Sequence, residues 1–120
     1  MLKPIPPCIL TTTATLKQPT GTDAWQNITY TETVITKCHL QGSNEVRKTK
    51  NNTEVILSAI LFVDARLSKP KLDWDAIALA AEKVGFPLKI TIGSAEYTVE
   101  VVDTIPDDHG HTHHTELGLV

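Results

Sequence analysis

The 120-residue chain lacks several features that would assign it quickly to a function class, and each absence excludes something. No stretch approaches the roughly 20 consecutive apolar residues of a membrane-spanning helix. The opening MLKPIPPCIL carries a lysine and three prolines but no apolar run of signal-peptide length, so the chain is expected to be made and kept in a cytoplasm. Cysteine is scarce. Cys8 and Cys38 are the only two, and in that compartment they are expected to stay reduced and to pack as small side chains rather than pair. Asn27-Ile-Thr29 and Asn51-Asn-Thr53 match the glycosylation pattern, which has no meaning without a secretory route. There is no excess of positive charge. A formal net charge of −3 and a pI near 5.9 argue against a dedicated nucleic-acid binder.

Catalytic signatures are equally scarce. No glycine-rich phosphate loop is present. Ser43, Ser58, Ser68 and Ser94 lie in no nucleophile-elbow motif, and Cys8 sits among prolines with no activating neighbour. The paired carboxylates Asp73/Asp75 and Asp107/Asp108 are explained by helix capping and turn formation. The expectation is a chain without an active site and without a cofactor.

What is present is a strand-forming composition. Threonine, valine and isoleucine are plentiful, and β-branched side chains suit a pleated surface better than a helix. Residues 1–7 read as an extended, proline-rich arm. Ile9 to Leu16 reads as a first strand, and residues 18–26, with Pro19, Gly21 and Asp23, as a loop whose Trp25 could anchor on the body of the protein, the commoner fate of so large a ring, or face a partner. Asn27 to Leu40 is a long threonine-rich strand. Residues 41–52 are almost free of apolar side chains and read as an exposed loop. Glu54 to Arg66 is apolar on both alternating faces and reads as one strand covered on both sides.

Between Asp73 and Gly85 the period changes. Trp74, Ile77, Ala78, Ala81 and Val84 recur at helical spacing, Asp73 suits an N-cap, Asp75 and Lys83 complement the helix dipole, and Gly85 with Pro87 ends the element. One short helix over 74–84 is expected. Leu88–Ile92 and Glu96–Ile105 should form a hairpin across Gly93-Ser94, with glycine first as a type II′ turn requires. Residues 106–113 form a polar, histidine-rich loop before a last strand at His114–Val120. About six strands and one helix in a single domain, 1–120, make a mainly β protein: a small antiparallel barrel or sandwich.

Two clusters carry possible chemistry. His109, His111 and His113 could meet one zinc or nickel ion, with Asp107 or Asp108 as a further ligand and Glu116 as a nearby acid or base. The cluster is local to one loop, however, and a plain polar loop is the simpler reading. Arg47, Lys48 and Lys50 put three cations within four residues of the polar loop and could meet phosphates, weakly in one copy and strongly in a ring of copies.

Several pieces occur in a familiar order: the opening LKPIPP, the Trp25–Tyr30 entry into the second strand, ILFVDARLSKP, the Gly93–Val102 hairpin and the closing HHTELGLV. Together they resemble the minor capsid proteins of tailed bacteriophages, of the siphophage head-completion or stopper type. The resemblance implies a small β-barrel assembled as a ring at the head–tail junction of a virion or prophage particle, after synthesis in the host cytoplasm. There it would retain packaged double-stranded DNA and offer a docking surface to the tail. Arg47, Lys48 and Lys50 would face the DNA channel. Lys3, Pro4, Pro6 and Pro7 of the arm, together with Trp25, would contact a neighbouring subunit, the portal or the adaptor. Thr115–Val120 would be an edge strand able to pair with a neighbour's sheet. The 74–84 helix departs from the family, which crosses there by a short loop, and is expected to plug one end of the barrel with Trp74 and Ile77, the alternative being an interface on its outside. The competing readings are a metal-binding enzyme or sensor built on the histidine loop, and a generic β-barrel module for a peptide or carbohydrate.

Overall fold

The structure is a computed structural model that describes residues 9–48, 52–106 and 109–120. Among these residues, eight strands and one helix follow in the order β1 (Thr12–Thr22), β2 (Ile28–Gly42), β3 (Val46–Lys48), β4 (Glu54–Ile56), β5 (Ala59–Asp64), α1 (Trp74–Val84), β6 (Lys89–Ile92), β7 (Ala95–Pro106) and β8 (Thr112–Leu119). Six of the strands close into an antiparallel barrel in the order β1-β2-β5-β8-β7-β6, with β6 returning to β1. The mainly β barrel with one helix is the fold the sequence predicts.

Period-2 alternation decides which side chains fill the barrel. Leu16, Ile35, Cys38, Leu61, Ile90, Leu117 and Leu119 point inward and are fully buried. Helix α1 has the expected bounds and caps. Asp73 Oδ1 accepts from the Ala76 amide at 3.1 Å, and Gly85 adopts the left-handed conformation (φ 89°) that a side chain disfavours. Its apolar stripe packs on β1 and β7 and puts Trp74 and Ala81 into the barrel core. The β6–β7 turn also follows its expectation: Gly93 has positive φ and Ser94 does not.

Four segments differ from the sequence reading, each for a physical reason. First, β1 does not stop at Leu16 but runs through Pro19 to Thr22. It can do so because residues 18–22 pair only with β2, and a proline is tolerated on a strand whose other edge is open. Second, the polar segment 41–52 is not one exposed loop. Gln41 and Gly42 finish β2, and Val46–Lys48 pair with Glu54–Ile56 as a separate two-stranded hairpin. Third, the predicted strand 54–66 is therefore two strands, broken at Leu57-Ser58 where the chain turns from that hairpin into the barrel wall. Fourth, β8 is not an edge. It is paired on both sides, by β5 and by β7, so its backbone has no open side for a neighbour.

The outer face of the wall is covered where β3–β4 lies over it. Leu57, Ile60 and Val101 form a second small core, with Val55 and Phe62 packed against it. Gly118 makes this possible. A Cβ there would stand 2.9 Å from Leu57 Cδ1 and 3.0 Å from Val101 Cβ, so only glycine lets Leu57 lie flat on β8.

Candidate functional site

Two features stand out from this frame. One is a charged cluster under the β3–β4 hairpin, and the other is the far end of the β1–β2 ribbon.

The cluster follows from strand register. On the outer face His39 pairs with Phe62, Phe62 with Glu116 and Glu116 with Asp103, which lays one transverse row across β2, β5, β8 and β7. Arg47 reaches down to this row from β3. Its Nη1 donates to Asp103 Oδ2 at 2.6 Å, its Nη2 to Glu116 Oε1 at 2.7 Å and its Nε to Glu45 Oε1 at 3.0 Å. The rigid guanidinium fork suits this, since it can serve several carboxylates in fixed directions. His114, two residues before Glu116 and on the same face, sets its Nε2 2.9 Å from Glu116 Oε2. An ionised carboxylate only accepts, so His114 donates from Nε2. When neutral it leaves Nδ1 to accept from His113 Nδ1, 2.7 Å away. Phe62 lies between the His39 and His114 rings, 5.8 Å from each centroid.

The protonation equilibria follow this geometry. Burial works against charge on Glu116, but hydrogen bonds and positive charge from Arg47 and His114 outweigh it and hold the carboxyl below its ordinary value. Burial also works against the Arg47 charge, and the bonds and charges of Glu45 and Glu116 outweigh it in turn, so the guanidinium is held ionised. Cys38, fully buried inside the barrel, is pushed up to about 11 by desolvation, with a smaller opposing contribution from Ser68. A thiol in that state is a poor nucleophile. The arrangement clamps a hairpin to a wall.

These positions revise the candidate residues read from sequence. Arg47 is not an open cation awaiting phosphate, because its charge is spent on Asp103, Glu116 and Glu45. Lys48 is exposed, on the hairpin beside Arg47. Lys50 lies outside the described residues, as do Lys3, Pro4, Pro6, Pro7, Cys8, Asp107 and Asp108. His109, His111 and His113 are not drawn together as a ligand set: among the described residues no three His, Cys, Asp or Glu side chains gather to hold a metal ion. His113 turns instead to His114. Sequence reading missed the roles of Glu45, Asp103 and His114. The signal for them was cross-strand, in the outward parity that Asp103 and Glu116 share once β7 and β8 are paired.

Trp25 takes the less common of its two expected positions. It does not anchor on the barrel but stands at the tip of the ribbon with 83% of its surface exposed. The tip is nonetheless ordered by a local network. Asp23 Oδ1 accepts from the Trp25 amide at 2.8 Å and from the Asn27 amide at 3.0 Å, and the Asp23 amide donates to the Asn27 carbonyl at 2.9 Å. This side-chain turn is the one Asp forms with its own downstream backbone. Ile28 and Val34 are exposed on the ribbon behind the tryptophan.

Comparison with known protein families, with curated proteins and with solved structures finds no match to this chain. No helix of the described residues is long and apolar enough to cross a membrane.

Proposed function

We propose that this chain is a structural component of a tailed-phage or prophage particle at the head–tail junction. It acts there in head completion, as a ring subunit that helps retain packaged DNA and presents a docking surface to the tail. The observation that carries this reading is the β1–β2 ribbon. It continues beyond the strands that close the barrel, pairs with no third strand along residues 18–31 among the described residues, and ends in an ordered tip that presents an exposed tryptophan. A large ring held out in solvent on an ordered tip suits a contact with a partner, since tryptophan is enriched among interface hot spots. The closed barrel supplies a rigid base, and the sequence order from LKPIPP to HHTELGLV resembles that of minor capsid proteins.

The DNA-facing role rests on Lys48 and Lys50 without Arg47, and so on fewer charges than three per copy. In a ring, even one exposed lysine per subunit, Lys48, sums to a belt around the channel, with the salt dependence that phosphate contacts carry.

Electron microscopy of particles made with the coding sequence disrupted tests the proposal. Head completion predicts heads that package and then lose DNA, standing beside free tails. Intact, infectious particles would end it.

A further inference from the structure

The exposed tip has a counterpart elsewhere on the same molecule. A groove of about 630 Å³ runs between α1, the Phe86–Leu88 turn, β7 and the β3–β4 hairpin. Val55, Ala78, Phe86, Pro87 and Val101 give it an apolar lining, and Glu100 is an exposed carboxylate beside them. Its size falls within the range of sites that enclose organic groups. Resting on the proposed ring function, we infer that this groove receives Trp25 from a second copy of this chain, in a head-to-tail contact.

Three observations favour that occupant. The tip and the groove belong to different elements, so one copy's tip against another's groove is a heterologous contact, the kind that generates rings when the rotation closes. The polar groups also match. Asp23, the only acid of the tip, turns its Oδ1 onto the Trp25 and Asn27 amides, so the tip offers outward an indole N–H and the carboxamides of Gln26 and Asn27. The indole N–H only donates, and the groove is lined by the carboxylates of Glu82, Glu100 and Asp103, which accept, with Lys48 beside them. Finally, Trp25 does not fill the groove of its own chain, where it is 83% exposed. A single aromatic side chain buries about 150–250 Å² when seated, enough for an anchor but not for a complete interface. Ile28 and Val34, exposed along the ribbon, extend the contact beyond the ring.

The test uses the full chain with Cys8→Ser as background, since Cys38 is buried and its thiol suppressed. Ala24→Cys marks the tip and Ala78→Cys marks the groove. Each variant alone and an equal mixture are treated with a short thiol cross-linker, and the products are separated by mass. The inference expects a covalent pair in the mixture that neither variant forms alone, and at least a tenfold lower yield when Trp25→Ala is added to the tip variant. Three results would overturn it: Ala24→Cys linking to itself, a mixture yielding no more than its components, or an unchanged yield with Trp25→Ala. Sedimentation of wild type and Trp25→Ala over a concentration series gives a second reading that needs no cross-linker. The particle experiment remains separate. Tailless heads without the tip–groove product would keep the junction role and assign Trp25 to another neck protein, whereas the product without a particle defect would keep the contact and remove the role.

Discussion

Two β-hairpins leave the barrel wall and meet opposite fates. The β3–β4 hairpin is short, three residues a strand, and lies against the wall. The β1–β2 ribbon comes from strands of 11 and 15 residues and runs out past the barrel. Their outer surfaces do not explain the difference, since both show apolar side chains to solvent: Val46 and Ile56 on one, Trp25 and Ile28 on the other. The difference lies beneath them. β3–β4 has a seat, made by Leu57 resting on Gly118 and by Arg47 reaching Asp103 and Glu116. Among the described residues, the ribbon beyond residue 18 is held by bonds within itself, such as the Thr20–Thr29 hydroxyl pair at 2.7 Å and the Asp23 turn. A hairpin stays down where a buried side chain and a desolvated charge hold it, and stands out where neither exists.

Removing the seat is the strongest way to break this contrast. Leu57→Ala empties a position only 1% exposed and should cost about 3 kcal/mol in denaturant unfolding. Amide exchange should accelerate at Val46–Lys48 and Glu54–Ile56 more than at Ala59–Asp64. Equal acceleration in both segments would mean that the hairpin and the wall open together and that the seat is not local.

Removing the clamp is the next largest effect. Arg47→Met keeps much of the side chain's length but leaves Asp103 and Glu116 as like charges directly opposite on neighbouring strands. A loss of about 2 kcal/mol at neutral pH is expected, the scale of hydrogen bonds to charged groups. The same clamp sets an acid response. The Glu116 carboxyl is held below its ordinary value of 4.5 in the folded state, so its contribution is fully present above that value and is lost as pH falls through the lowered one. Stability of the wild type should therefore decline more steeply on acidification than that of Arg47→Met. Parallel pH profiles would show that Arg47 does not set the Glu116 equilibrium.

How much of this was legible in the sequence depended on range. Helix α1 was readable in full because Asp73, the 3–4 spacing of Trp74 to Val84 and Gly85 are local signals that all agree. The barrel strands were readable from alternation. Strand ends were not: Pro19 and Gly21 look like loop residues, and only the open edge of the ribbon makes them acceptable in β1. The clamp was hidden for a related reason. Arg47, Asp103 and Glu116 are far apart in sequence, and a basic run such as Arg47-Lys48 looks solvated until register puts carboxylates beneath one of its members. Trp25 could be read only as a choice between burial, the usual fate of an indole, and a partner contact, because nothing local signals that the ribbon has left its barrel behind.

The smallest expected effect on stability sharpens the comparison most. Trp25→Ala removes the largest side chain of the ribbon, yet in the isolated subunit its ring has almost nothing to lose. Unfolding free energy should change by less than about 0.5 kcal/mol, as for surface positions without buried partners. Amide exchange at β3–β4 should be unchanged, and the Asp23 turn should persist because it is built from backbone amides and one carboxylate. An indole so placed contributes little to its own fold, so an effect on association can be read without a folding defect behind it. A destabilisation as large as that of Leu57→Ala would instead mean that the ring packs on its own barrel in solution, and the two hairpins would then differ only in length.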